Sequence, residues 1–420
     1  MKISSIPIFY LILAIFSFIS LKLSHAPIYM YFIILIIMLA TAAYDIYGKS
    51  HKWIILILLT IIFYLSLPKM SLLFLVWIIP GFFIGLLIFK NIDLFTRIAF
   101  GFVISLCLMI SSILLSYLGI PVGRWIILII FFASILTILS KQARKNLVEI
   151  FSSKIDHKLF SFLIAILIGI LFIYSPFFNE SALPQTTAVD YYSSGQYVER
   201  TIIEQHSFPI WEIKSTLGQA RYTLDSPAYF WYSGVSGVIF GKGTLFIYNQ
   251  AFIFLIIISA MFLFLALKKI SKYYLLSLLI TILFFSSKTI GQAVGASGNM
   301  KGFAGICIGI ISLYFLVMLK ETKEIKYFFF LLINSGIAVL FHPVSIYLTF
   351  GIIITSMFCL EKKRFTDWKF YTSLAMTGLI FMFWIIPFIH YSYSTSSSSG
   401  FNMGINLHDY ILLIIFLLFF

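Results

Sequence analysis

Charged residues are scarce in this sequence: Asp, Glu, Lys and Arg make up 10% of its 420 residues, whereas they make up about 25% of a typical soluble domain. Cysteine is also rare, with three residues and no CxxC spacing, which argues against both a cysteine metal site and a disulfide framework. Hydrophobic residues make up 61% of the chain. They form repeated apolar runs separated by short basic clusters, a pattern typical of helical membrane proteins.

The apolar runs predict an all-α polytopic membrane protein with about 13 to 14 transmembrane helices. The runs fall near 5–22, 28–46, 53–68, 71–89, 97–119, 125–140, 159–178, 245–267, 273–287, 303–319, 327–341, 344–360 and 371–389. The first run resembles a signal peptide but is longer than usual, so we expect an uncleaved first helix. A last run, 410–420, is too short to cross a bilayer of about 30 Å, which suggests that the chain is a fragment of a longer protein.

The basic residues predict the orientation of these helices. The net charge is +14, but the Lys and Arg residues fall at helix ends rather than in one patch. We therefore expect contact with the lipid bilayer and not with nucleic acid. If the N-terminus is cytoplasmic and every run crosses once, 20 of the 29 basic residues face the cytoplasm. This asymmetry predicts a multi-pass cell-membrane protein with a cytoplasmic N-terminus.

The same topology divides the chain. Residues 1–140 hold six runs, 141–158 form a basic cytoplasmic linker, and 159–420 form a second membrane unit. Within that unit, 179–244 becomes one long extracytoplasmic loop with six of the 15 acidic residues. Loops longer than about 15 residues are usually functional or disordered, and the patterned aromatic residues of this loop favour function.

The loop begins with a predicted amphipathic helix, 187–206, "TAVDYYSSGQYVERTIIEQH". One face would carry Tyr191, Gly195, Val198 and Ile202, and the opposite face Asp190, Ser193, Ser194, Tyr197 and Glu204. Such a helix suits the membrane interface. Asp190 could cap the helix together with Thr187, or could stay ionised at the helix start as a base or cation ligand. Glu199 points away from Asp190, and we expect Glu199 and Arg200 to lie at the surface or to contact lipid headgroups.

A second helix is predicted in "RYTLDSPAYFWYSGVSGVIFGKG", where Ser226 and Pro227 mark its start and Gly241 its end. Small residues in it would allow close helix approach. Asp225, just before the start, is either a cap or a supporting acid. The aromatic side chains could contact sugar or lipid, or could form an aromatic belt at the interface. They are Tyr222, Tyr229, Trp231 and Tyr232.

Cationic side chains follow in later outer segments. The stretch 286–302 has four glycines between Gly291 and Gly302, flanked by Lys288 and Lys301. It is either a flexible loop or a phosphate cradle of backbone N–H groups and ammonium groups. His342 lies at an outer helix junction, where it is either a polar tip or a further phosphate ligand.

The outer loop has an early acid on an interfacial helix, then Pro209, and then a "DSPAYF" helix that leads to a glycine. This order resembles the GT-C superfamily of membrane glycosyltransferases. It also resembles related bacterial membrane families that carry extra N-terminal helices. The resemblance covers roughly 159–345 and departs from the usual acid pair "DE", which is "VD" here.

The resemblance implies transfer of a sugar from a polyprenyl-phosphate carrier, on the extracytoplasmic side, to a glycan, lipid or protein acceptor. Asp190 would be the catalytic base, with Asp225 and Glu204 as supporting acids. The carrier phosphate would be held by Lys288, Lys301, Arg221 and His342. Sugar or lipid contacts would come from Tyr191, Tyr197, Tyr222, Tyr229 and Trp231. No metal ligand or cofactor is assigned, although the resemblance allows a divalent cation on the acid.

Two other functions fit the same pattern. A polysaccharide polymerase or ligase would also use a large outer loop, but would usually depend on paired outer arginines and a histidine. A transporter or flippase should carry ionisable residues or broken helices near the middle of the membrane. The apolar runs of this chain are nearly free of charge and its acids cluster in one outer loop, which favours sugar transfer in surface polysaccharide or glycolipid assembly.

Overall fold

A computed structural model describes residues 73–74, 76–90, 92–117, 129–130, 133–134, 136–152, 156–174, 177, 188–206, 227–240, 245–287, 300–342, 345–360 and 365–378. Within these ranges the secondary structure is helical and contains no strand. The helices are α1 (Ile79–Ile88), α2 (Leu94–Tyr117), α3 (Lys141–Ser152), α4 (His157–Ile173), α5 (Ala188–Gln205), α6 (Pro227–Phe240), α7 (Leu245–Ser271), α8 (Tyr274–Ser286), α9 (Met300–Thr322), α10 (Ile325–Phe341), α11 (Ile346–Cys359) and α12 (368–378). A 3₁₀ turn, Thr137–Leu139, precedes α3.

The helices confirm the predicted runs where the structure describes them. α4, α7, α9 and α10 each begin and end within a few residues of the run that predicted them. The runs 5–22, 28–46, 53–68 and 410–420 lie outside the described residues. By length and composition, Tyr248–Ser271 of α7 and Met300–Thr322 of α9 can each cross a membrane. The basic segment 141–158, which we expected to link two units, contains α3.

The centre of the bundle consists of α7, α9 and α10, and the N-terminal helices pack directly against it. α9 packs along α10 and α7. Phe100 of α2 stacks on Phe330 of α10, with ring centroids 4.0 Å apart. Just before the start of α1, the ring of Trp77 lies 4.5 Å from that of Tyr232 in α6. The described residues between Leu73 and Ile110 therefore share one apolar core with α4 and the helices that follow it.

Two helices present their apolar residues outward and their polar residues inward. On α8 the buried residues include Ser277 and Thr281, whereas Leu279 and Leu283 are 50% and 66% exposed. α11 repeats the arrangement: Thr349 and Ser356 are among its buried residues, and its exposed apolar residues include Tyr347, Leu348, Phe350 and Phe358. The buried hydroxyl groups donate to backbone carbonyls of their own helices. A helix in water would have the opposite arrangement.

The basic loops meet at one end of the bundle. Lys269, near the end of α7, forms an ion pair of 2.7 Å with Glu321 near the end of α9. Lys323, just after α9, donates to the carbonyl oxygen of Cys359 at the end of α11, at 3.0 Å. We call this the basic end. Its loops are those that the sequence analysis placed on one common side.

Asp156 caps α4 at the basic end, and its surroundings favour the ionised carboxyl. Burial acts to raise its pKa, but hydrogen bonds from the Tyr274 hydroxyl and from two backbone N–H groups outweigh burial, with help from the positive charge of Lys268. The N–H groups are those of Lys158 and Leu159. The pKa of Asp156 therefore lies below its ordinary value. The Tyr274 hydroxyl donates to this carboxyl at 2.7 Å, which ties α8 to α4.

A buried arginine stabilises the turn between α1 and α2. Arg97 is 2% exposed. Its Nε donates to the carbonyl oxygen of Ile92 and its Nη1 to that of Phe89, both at 3.0 Å. Asn146 of α3 donates to the carbonyl oxygens of Leu86 and Phe89. These donors satisfy carbonyl groups at the end of α1 that have no partner within the helix.

Candidate functional site

Helix α5 carries the predicted catalytic acid, and glycine residues bring this helix into close contact with its neighbours. A Cβ atom added to Gly195 would lie 2.8 Å from Oγ of Ser233 in α6 and 3.3 Å from the ring of Tyr248 in α7. A Cβ atom added to Gly234 would come within 3.0 Å of Cβ of Val198. The small residues of α6 therefore allow the close helix approach that the sequence predicted.

Glu199 is buried at this contact, contrary to our expectation that it lies at the surface. The residue is 4% exposed, and the Tyr248 hydroxyl donates to its Oε2 at 2.6 Å. Gly237 of α6 makes room for the carboxyl, because a Cβ atom there would lie 2.8 Å from Cδ of Glu199. Hydrogen bonding to a buried carboxylate offsets part of its desolvation. Glu199 therefore connects α5 to α6 and α7.

The rest of α5 follows the amphipathic pattern in part. Val198 and Ile202, which share the predicted apolar face, are buried, and Tyr197 is half-buried against the core. Glu204 and Arg200 are exposed. Sequence reasoning did not foresee that Glu199 and Thr201 would also be buried.

Asp190 lies in the first turn of α5. Asp190 and Glu199 are nine positions apart, which corresponds to about 13 Å along the helix axis. The side chain of Asp190, like that of Tyr191, lies outside the described residues. The same is true of the predicted capping partner Thr187.

The aromatic residues of α6 are packed inside the bundle. Tyr229 is 5% exposed and Trp231 is 1% exposed. The indole N–H of Trp231 donates to the carbonyl oxygen of Met109 in α2 at 2.6 Å. The ring of Tyr229 lies 6.3 Å from that of Phe341, at the end of α10. In this structure both aromatic residues hold α6 in place and offer little surface to a sugar or lipid.

Two of the predicted cationic residues lie on this end of the bundle. Lys301 is in the first turn of α9 and is 8% exposed, with its Nζ 5.9 Å from the ring centroid of Phe230 in α6. His342 follows α10 directly, and its Cβ would lie 3.2 Å from a Cβ atom added to Gly305. Lys301 and Gly305 are four residues apart on α9 and therefore lie on the same face of that helix. Because His342 packs against Gly305, Lys301 and His342 lie at the same face of α9.

The other predicted site residues lie outside the described residues. They are Asp225, Arg221, Tyr222 and Lys288. In the part of the chain that the structure describes, no group of three His, Cys, Asp or Glu side chains is placed to hold a metal ion. The divalent cation allowed by the resemblance stays a prediction.

Sequence reasoning missed the buried hydrogen bond between Glu199 and Tyr248. The pattern of α5 contains only a weak signal for it, because Glu199 falls next to the apolar face of Val198 and Ile202. Gly237 and Tyr248, which make the burial feasible, come later in the chain on two other helices.

No family model, curated protein or solved structure matches this chain.

Proposed function

We propose that the chain is a multi-pass membrane glycosyltransferase. It would transfer a sugar from a polyprenyl-phosphate carrier on the extracytoplasmic side, in the assembly of a surface polysaccharide or glycolipid. Its membrane location is supported by α8 and α11, whose exposed residues are mostly apolar and whose buried residues include hydroxyl groups. Lipid would cover those apolar surfaces, and the bundle interior satisfies the hydroxyl groups.

One observation carries the enzymatic proposal: α5, with Asp190 in its first turn, is fixed at the same end of the bundle as Lys301 and His342. The Glu199–Tyr248 hydrogen bond joins α5 to α7, and Lys301 and Phe341 both contact the aromatic part of α6. A carboxyl group, an ammonium group and an imidazole at one end of an apolar bundle suit a reaction between a hydroxyl group and a sugar phosphate.

The chemistry follows from these groups. The acceptor hydroxyl oxygen would attack the anomeric carbon of the sugar, and the bond from that carbon to the phosphate oxygen would break. Asp190 would take the hydroxyl proton, as general base. The electron pair of the broken bond would stay on the carrier phosphate, where Lys301 and His342 would stabilise the negative charge. The acceptor would be a glycan, a lipid or a protein.

The test is Asp190→Asn in living cells, with surface glycan composition and protein abundance measured together. Asn caps a helix as well as Asp does, so the fold should survive while the base is lost. Loss of a general base typically lowers a rate by about 10² to 10⁴, and we expect one glycan to disappear at normal protein abundance.

Glu149→Gln is the matched control. It makes the same carboxyl-to-amide change at an exposed position of α3, a helix that carries none of the predicted site residues. We expect this variant to keep the glycan. An unchanged glycan in Asp190→Asn would contradict the proposal and would favour a transporter, in which Asp190 is only a cap.

A further inference from the structure

A groove whose cationic end lies away from α5 has the form of a lipid site. It lies between α2, α10, α12 and the end of α1, and it has a volume of about 880 Å³. Its wall along α10 extends from Ile325 to Ile337, which corresponds to about 18 Å of helix. A groove of this length can hold an extended alkyl chain rather than a compact polar molecule.

The walls of the groove are apolar along their length and cationic at one end. The apolar lining includes Val103 and Ile104 of α2 and Phe330 and Ile333 of α10. The charged lining residues are Lys326 of α10 and Lys369 of α12, and both lie in the first turns of their helices.

The hydroxyl groups of the lining are already used. Thr372 donates to the carbonyl oxygen of Trp368, and Ser373 donates to that of Lys369. The two ammonium groups are therefore the polar groups best placed to recognise a ligand.

The charge at this end favours an anion. No acidic side chain is among the described residues that line the groove. Lys326 forms an ion pair with Glu324, which is half exposed outside the lining, and Lys369 is exposed. Trp368, which also lines the groove, is 69% exposed. An exposed Trp beside Lys is typical of the depth at which lipid headgroups lie.

This groove is separate from the candidate active site. Phe341, at the end of α10, contacts Tyr229 of α6, whereas Lys326 lies in the first turn of the same helix. Lys326 and Phe341 are fifteen positions apart, which corresponds to about 22 Å. A carrier phosphate near Lys301 and His342 therefore cannot also contact Lys326 and Lys369, and the groove needs a ligand of its own.

We propose that the groove binds one anionic glycerophospholipid, with an acyl chain between α2 and α10 and its phosphate between Lys326 and Lys369. The inference rests on the membrane location proposed above, and it does not depend on sugar transfer. A zwitterionic lipid would bring a cationic group of its own to the two ammonium groups, which is why the site should prefer a net negative headgroup.

The test uses the purified full chain and phosphatidylglycerol with a photoactivatable acyl chain, compared with phosphatidylcholine carrying the same chain. Bound lipid is counted by native mass spectrometry, and the crosslinked peptides are mapped. We expect one phosphatidylglycerol to resist removal and to crosslink to α2 or α10. A basic residue near an anionic headgroup contributes about 1 kcal/mol, so each Lys→Gln change at 326 or 369 should weaken binding about fivefold.

Three variants make the result decisive. Lys320→Gln removes a lysine at the same end that does not line the groove, and it should leave binding unchanged. Ile104→Trp should fill the groove and abolish the crosslink without touching the charges. Lys326→Arg with Lys369→Arg should keep binding.

The proposal is overturned if phosphatidylcholine binds equally well, if the crosslinks map to other helices, or if Lys320→Gln weakens binding as much as the groove variants do. The last result would mean that the lipid is only part of the general annulus around the bundle. None of these readouts depends on enzymatic activity, so they separate this inference from the proposed sugar transfer.

Discussion

The contact between Gly237 and Glu199 makes a quantitative prediction about the fixing of α5. In Gly237→Ala, the new Cβ atom would lie 2.8 Å from Cδ of Glu199, which is closer than real side chains allow. The carboxyl group would have to move. Its hydrogen bond from the Tyr248 hydroxyl, now 2.6 Å long, would then stretch or break.

The expected magnitude follows from two opposing effects. A hydrogen bond to a charged group contributes about 1.5 to 3 kcal/mol, and its loss leaves a buried carboxyl with one donor fewer. Replacing Gly by Ala inside a helix stabilises by up to about 1 kcal/mol. Gly237→Ala should therefore lower the free energy of unfolding by about 1 to 2 kcal/mol.

The matched control is Gly351→Ala in α11, where a Cβ atom would meet no other atom within 4 Å. This variant should be as stable as the wild type or slightly more stable. Unfolding of the purified chain in detergent by SDS titration or by heat measures both variants. Equal stability of the two would refute the reasoning.

A double-mutant cycle with Tyr248→Phe identifies the cause. If Gly237→Ala acts by breaking the hydrogen bond, it should cost much less in the Tyr248→Phe background than in the wild type. Additive effects would mean that the alanine disturbs α5 in another way.

Two further predictions concern the cap of α4 and the turn between α1 and α2. The pKa of Asp156 lies below its ordinary value, so its contribution to stability is present above about pH 4, the ordinary pKa of Asp, and is lost as the pH falls through the lower folded-state pKa. Tyr274→Phe should reduce this loss of stability. The melting temperature should then depend less steeply on pH between about 5 and 3. An unchanged slope would contradict the role of the Tyr274 hydrogen bond in lowering the pKa of Asp156. Arg97→Lys should destabilise the chain by about 1 to 2 kcal/mol, because one ammonium group cannot reproduce both the Nε bond to Ile92 and the Nη1 bond to Phe89. Thermal unfolding measures this change, and a neutral result would show that the two bonds do not hold the turn.

Much of the fold was predictable because a long apolar run can satisfy its backbone hydrogen bonds only within a helix. α7, α9 and α10 follow from this alone. The starts of α5 and α6 were also predictable, because Asp190 and Pro227 are typical of a first helical turn. α3 was missed because its basic residues suggested a linker, although the spacing of Ala143 and Asn146, both buried, favours a helix with one face packed.

The position of Glu199 could not be predicted from α5. Its neighbours in sequence, Arg200 and Thr201, suggest a polar surface. Its burial depends on a missing side chain at Gly237 and a hydroxyl group at Tyr248. Both are properties of other helices, so only the packed structure reveals that the carboxyl has a compatible environment.

Helices α8 and α11, which bury hydroxyl groups and expose apolar side chains, show a further limit of sequence reasoning. A sequence pattern does not say whether water or lipid surrounds a helix. In α8, Ser277 and Thr281 are four residues apart on one face, and Leu279 and Leu283 form the opposite face. Rules for water place the hydroxyl groups outside, and rules for lipid place them inside. The periodicity is the same in both cases, so the pattern predicts two faces but not which one is buried. That choice follows only once the apolar surroundings are inferred from the rest of the chain. Because the structure buries Ser277 and Thr281 and exposes Leu279 and Leu283, this helix supports a bilayer more directly than its overall hydropathy does.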